Sequence, residues 1–305
     1  MLIFAASDKG GTGRSVTSAN VAFRRALAGD DVCYLDFDFG SPTAAAVFDV
    51  PSALRGIDGG GLHSYLLGKT NEPVRIDVWV DTEHEVLRDR PTGSGSLMLL
   101  PGDRSGGEFA LGKDILSRCA DLFLRLNSEF DLVLVDLSAG RSYAVDMALE
   151  VTSRPEMQGV DSRWLVYHRW TRQHVIAASG LVYGERGIIA GGVARGHDED
   201  RLRDSIRFVR AAVPDPEAEP WSKVPAAQSA WMRKCDQDLD ELAADRDVGY
   251  SRMLASIPLE PVLQWREQLI TDEDVLASQI ANAETLTALR ELSVKLDDDE
   301  AWGQS

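Results

Sequence analysis

Leu2-Ile3-Phe4-Ala5-Ala6-Ser7-Asp8-Lys9-Gly10-Gly11-Thr12-Gly13-Arg14-Ser15 decides the reading of this chain. A short apolar run passes directly into a glycine-rich turn, and residues 16–27 continue with helical spacing. Strand, glycine loop and helix in that order form an anion-binding device. The glycines let the backbone wrap closely with its amides pointing inward, and the helix start adds partial positive charge. Gly10, Gly11, Thr12, Gly13, Arg14, Ser15 and Val16 are therefore the candidate phosphate cradle, with Ser15 supplying a hydroxyl of the kind that ligates magnesium in such loops.

Working outward, the pattern alternates strand and helix. Strand candidates are 31–36, 97–101, 130–136, 163–167 and 187–191, with helix at 114–127. Apolar runs without alternation, separated by helices, imply a mostly parallel central sheet buried on both faces and flanked by helices: an α/β fold. Such a sheet places its ligand at the carboxyl ends of the strands. One nucleotide-binding domain is expected over residues 1–296, with insertions at about 55–96 and 214–248. The first insertion is expected to hold a short helix (61–67) and an edge strand (74–80). The second opens with Pro214, Pro216 and Pro220 and becomes an acidic helix, where Trp221 and Trp231 are either partner anchors or packed side chains. A last helix is expected over 273–296, and the acidic end 297–305 is expected to be a solvated, disordered tail.

The bulk numbers narrow the function. The chain has 305 residues, 44% hydrophobic and 27% charged, and a formal net charge of −17. A field of that sign repels nucleic-acid phosphates and anionic headgroups, so direct DNA binding is disfavoured. The acidic end is the opposite of a basic amphipathic membrane anchor, so none is expected. Residues 1–9 lack the basic start and long apolar stretch of a signal peptide. Cys33, Cys119 and Cys235 are scattered, which argues against a disulfide framework and for a reducing, cytoplasmic setting. His63, His84, His168, His174 and His197 have no metal-ligand spacing. Arg169 to Arg172, around Trp170, read as a solvated helix start more readily than as a recognition patch.

Lys9-Gly10-Gly11-x-Gly13-x-Ser15 resembles the deviant Walker A loop of the ParA/MinD-type P-loop ATPases, whose fold is shared with nitrogenase iron protein. The likeness extends to Tyr34-Leu35-Asp36-Phe37-Asp38, to the strand ending in Asp136, to Leu137-Ser138-Ala139-Gly140 and to Ile257-Pro258-Leu259. The resemblance implies an ATP-binding (and ADP-releasing) homodimer that uses Mg²⁺ and acts on a protein partner whose identity the sequence does not give. By that match, Lys9 reaches across the dimer to the phosphates of the other subunit. Asp38 orients the attacking water, Asp36 supports the metal shell, and Asp136 and Ser15 hold the metal. Gly140 senses the γ-phosphate, and Ile257-Pro258 precede the base loop.

Two departures stand out. Arg14 occupies the place of the phosphate-binding lysine, and Val16 that of a second hydroxyl residue. A planar guanidinium keeps the charge but not the compact contact of an ammonium, so weak hydrolysis is expected. The alternative is a scaffold that binds nucleotide without turnover, or binds none. Residues 187–192 end in Val193-Ala194-Arg195, without the asparagine that reads adenine in relatives, which leaves the base open.

Overall fold

Burial on both faces explains why the strands here are continuous apolar runs. In Leu2–Ala6, residues 2, 4 and 6 join one core cluster while 3 and 5 join another. The computed structural model describes residues 1–88, 90–104, 106–215, 217 and 223–303. The chain begins with β1 (Leu2–Ala6), α1 (Arg14–Ala28), β2 (Val32–Phe37), α2 (Ala44–Val47), α3 (Leu62–Leu66), β3 (Ile76–Asp77), α4 (Val78–Asp81) and β4 (Leu97–Leu100). It continues through α5 (Lys113–Glu129), β5 (Leu132–Leu137), α6 (Tyr143–Thr152), β6 (Ser162–Arg169), α7 (Arg172–Tyr183), α8 (Ile188–Val193), α9 (Glu199–Asp204) and β7 (Ile206–Val213). It closes with α10 (Ala226–Asp245), β8 (Met253–Pro258), α11 (Asp272–Leu276) and α12 (Ala283–Lys295).

The eight strands form one sheet in the order β3-β4-β2-β5-β1-β6-β7-β8. Every pairing is parallel except that of β3 with β4. Helices α5, α6 and α7 cover one face, through Phe123, Met147 and Leu181. Helices α1 and α12 cover the other, through Val21, Leu289 and Leu292. Each such side chain contributes roughly 1.5–3 kcal/mol on burial, so the two layers hold the sheet rigid beneath the loops at its carboxyl end.

Four expectations need correction. Residues 187–191 are not a strand: Gly187 starts α8, and Ile188 and Ile189 pack into the face carried by α6 and α7. Short apolar runs do not distinguish a buried strand from a buried helix. The strand that follows β6 is β7, whose apolar run is broken by Arg207 and Arg210. Both are buried because they have partners: Arg207 donates to the Ala301 carbonyl at 3.1 Å and Arg210 pairs with Asp240 at 3.2 Å.

The edge strand is only Ile76–Asp77, because the Asp77 carboxylate accepts from the Trp79 amide (3.0 Å) and caps α4 at once. The last helix is two, α11 and α12, separated by a turn in which Gln279 takes a φ of 52°. The acidic end is not free over its described residues. Asp297 makes a two-point pair with Arg25 (2.9 and 2.9 Å), Asp299 pairs with Arg163 (3.1 Å), and Trp302 is 0% exposed. Acidity there neutralises arginines of the sheet and of α1. Trp221 lies outside the described residues, whereas Trp231 stands 66% exposed on α10.

Candidate phosphate-binding site

The loop after β1 and the ends of β2, β5, β7 and β8 build the site. Leaving β1, the backbone turns through Gly11 (φ 71°) and Gly13 (φ 77°), left-handed conformations that glycine adopts without a Cβ penalty. Gly13 is the residue before α1, and its carbonyl accepts from Thr17 at 2.8 Å, so the helix starts directly from the loop. A Cβ added at Gly10 or Gly11 would meet nothing within 4 Å, leaving the outer side of the loop open. The loop walls one side of a cavity of about 330 Å³, which Ser15 and Val16 also line. Ala211 and Ala212 at the end of β7, with Ile257 and Pro258 at the end of β8 and Glu260 just after it, form the opposite wall. Glu260 is buried and accepts from the Asn282 amide at 2.9 Å.

Beneath the loop lies a charged centre. Asp36 on β2 and Asp136 on β5 are partners in register, which sets two carboxylates side by side. Arg14, 6% exposed, enters between the strand ends. Its Nε donates to Asp136 Oδ1 at 2.5 Å, its Nη2 to Asp38 Oδ2 at 3.2 Å and its Nη1 to Ser7 Oγ at 3.2 Å. Tyr34 donates its hydroxyl to the other oxygen of Asp136 at 2.9 Å. Asp36 accepts from the Ala44 and Asp38 amides at 3.0 and 3.3 Å.

The electrostatics follow from burial and from the crowding of like charges. Burial, then the neighbouring Asp136, push the Asp36 carboxyl up to about 8. Burial raises Asp38 against the pull of Arg14. Burial, and then Asp136, hold the Tyr34 phenol well above its ordinary value. Burial opposes the Arg14 charge, yet Asp136 and Asp38 more than offset it, so the guanidinium is held above the usual arginine value.

The structure therefore brings together Gly10, Gly11, Thr12, Gly13, Arg14, Ser15 and Val16 with Asp38 around one cavity. Asp36 and Asp136 lie below it. Lys9 is exposed on the outer rim, close enough to α7 that its charge, second to burial, lowers the His174 pKa. Gly140 departs from its expected role: its amide donates to the Ser7 carbonyl at 2.7 Å and is not presented to the cavity. Trp170 is buried, not part of a solvated helix start. Sequence reading missed Ser7, Glu260 and the role of Tyr34, and it set aside Arg169, which lines the cavity. Tyr34 was accessible to it in principle, because on a strand it shares the face of Asp36 two residues on.

A nucleotide's phosphates fit the open loop and the adjoining cavity. A magnesium ion held through Asp136 does not fit this arrangement. One Asp136 oxygen is committed to Arg14 and the other to Tyr34, and Asp38 is paired with the same guanidinium. Asp36 and Asp136 are thus engaged within the protein, whereas Ser15 lines the cavity.

No protein-family model and no curated protein sequence matches the chain. Solved structures do match. The Aquifex aeolicus MinC:MinD cell division protein complex aligns with a TM-score of 0.60 at 14% identity, over 97% of this chain and 94% of that one. The fold is that of the ParA/MinD-type P-loop ATPases. A putative plasmid partition protein of Borrelia burgdorferi bound to AMPPNP aligns at 0.60 and 12% identity, over 98% of each chain. The septum site-determining protein MinD of Pyrococcus horikoshii, complexed with Mg-ADP, aligns at 0.53 and 17% identity, over 97% and 95%. The ParA/MinD-type fold thus accounts for nearly the whole chain. No helix among its described residues is long and apolar enough to cross a membrane.

Proposed function

We propose that this chain is a cytoplasmic ATP-binding switch of the ParA/MinD type, which dimerises on ATP, hydrolyses it weakly, and acts through a protein partner in positioning, partitioning or regulation. The observation that carries the reading is the open glycine loop between β1 and α1, continuous with a cavity of a size suited to a small ligand. Relatives of the fold named for cell division and plasmid partition, and solved with nucleotides, support it. Lys9, exposed on the rim, is the residue that would reach a second copy of the chain in this reading.

Weak turnover follows from Arg14. Asp38, the residue proposed to orient water, is tied to Arg14. Asp38 is only part-buried, so freeing it costs less than the about 3–5 kcal/mol of a fully buried pair. Each ~1.4 kcal/mol so added to a barrier slows a step about tenfold. The same pairing favours a second reading, a nucleotide-holding scaffold that does not turn over. Light scattering of the protein alone, with ADP and with ATP, alongside phosphate release, separates the two. A mass that doubles only with ATP, with slow phosphate release, is the expected result. Doubling with no phosphate leaves the scaffold, and an unchanged mass with every nucleotide removes the switch.

A further inference from the structure

Arg14 gathers oxygens from the ends of three strands: Asp136 on β5, Asp38 just after β2 and Ser7 just after β1. Two carboxylates and a hydroxyl around one buried positive centre, at the base of a phosphate loop, are the surroundings a hard divalent cation would seek. Here the positive centre is a side chain. An incoming cation would find both Asp136 oxygens engaged, by Arg14 and by Tyr34, and would be repelled by the guanidinium a hydrogen bond away. Arg14 also lines the cavity under the loop. A guanidinium carries five N–H donors, and only some are used by Asp136, Asp38 and Ser7. The remaining donors suit a phosphate oxygen, an acceptor for which arginine is well matched.

We infer that the chain binds a nucleoside triphosphate without a divalent cation, with the Arg14 guanidinium, anchored by Asp136 and Asp38, standing where the metal of a phosphate site would stand. The inference rests on the nucleotide-binding reading above and adds to it the nature of the counter-charge. A lysine at position 14 has one nitrogen on a flexible stem and cannot engage Asp136, Asp38 and a phosphate with separate donors in a fixed plane. Metal dependence is therefore a property of this one side chain.

The test titrates the full-length protein with a fluorescent ATP analogue, once with magnesium in excess and once with EDTA. Affinities within about tenfold of each other are expected. A larger loss in EDTA overturns the inference and leaves the nucleotide-binding reading intact, whereas no binding under either condition overturns both. Electron paramagnetic resonance of added manganese, with protein and ATP, provides a readout independent of affinity. The spectrum of manganese-ATP alone is expected, and a protein-bound manganese signal overturns the inference. Arg14→Lys is expected to make binding metal-dependent. Should that variant not fold by circular dichroism, the two measurements on the unaltered chain still decide.

Discussion

Arg14 links the readable and the unreadable parts of the site. Its position in the loop is legible, because glycine spacing fixes the register from Lys9 to Ser15. Its direction is not, because a side chain turning down toward Asp136 depends on strand ends more than a hundred residues apart in sequence. Replacing Arg14 by Ala leaves two carboxylates uncompensated at a buried position, so urea denaturation should show a loss of about 3–5 kcal/mol. Arg14→Lys keeps the charge and should lose less. His168 at the far end of β6 gives a pH prediction. Burial lowers its pKa from 6.5 to about 4, with Arg210 and His174 acting in the same direction. The unfolded chain therefore binds the extra proton first. Stability from keeping this ring neutral is full above about pH 6.5 and is lost as pH falls toward 4. Denaturation midpoints of His168→Phe should fall less steeply across that window than those of the parent chain.

Elements were legible wherever one kind of residue ran without interruption. The strands β1, β2 and β5 are apolar but for Asp36 and Asp136 near the ends of β2 and β5, and were placed from sequence. β7 was not, because arginines break it, and their partners come from α10 and the chain end. The same arginine chemistry holds α10 against the body. Trp170 donates its indole N–H to Asp236 at 2.6 Å, and Arg210 pairs with Asp240 and lies 3.6 Å over the Trp170 ring. Leu239, Leu242 and Ala243 close the contact. Trp170→Ala should cost about 3–5 kcal/mol, as loss of a large buried aromatic does. Hydrogen exchange should report where: amides of α10 should exchange faster, while those of β1 and β5 keep their order of protection relative to one another.

Across the whole molecule, the parallel sheet was legible from the alternation of strands and helices, and its closure at the chain end was not. Acidity at residues 297–300 reads as solvation until the arginines it neutralises are known. Trp302 is wedged beside two of them, with the Arg163 and Arg207 guanidinium carbons 4.8 and 5.3 Å from its ring. Its indole N–H donates to the Lys295 carbonyl at 2.9 Å. Trp302→Ala should lower stability by about 3–5 kcal/mol in a thermal or urea melt. The strand order has a consequence for how the chain is made. β1 lies at the centre of the sheet, yet both its neighbours, β5 and β6, come more than a hundred residues later. At about 5–20 residues per second, a ribosome takes on the order of ten seconds to deliver β5 after β1 has emerged. Through that interval the strand leading into the glycine loop has both edges unpaired, and the loop lacks the strand ends that frame it. The loop's final geometry therefore waits for β5 and β6, and until they pair with it the apolar Leu2–Ala6 strand is a segment a nascent-chain chaperone would bind.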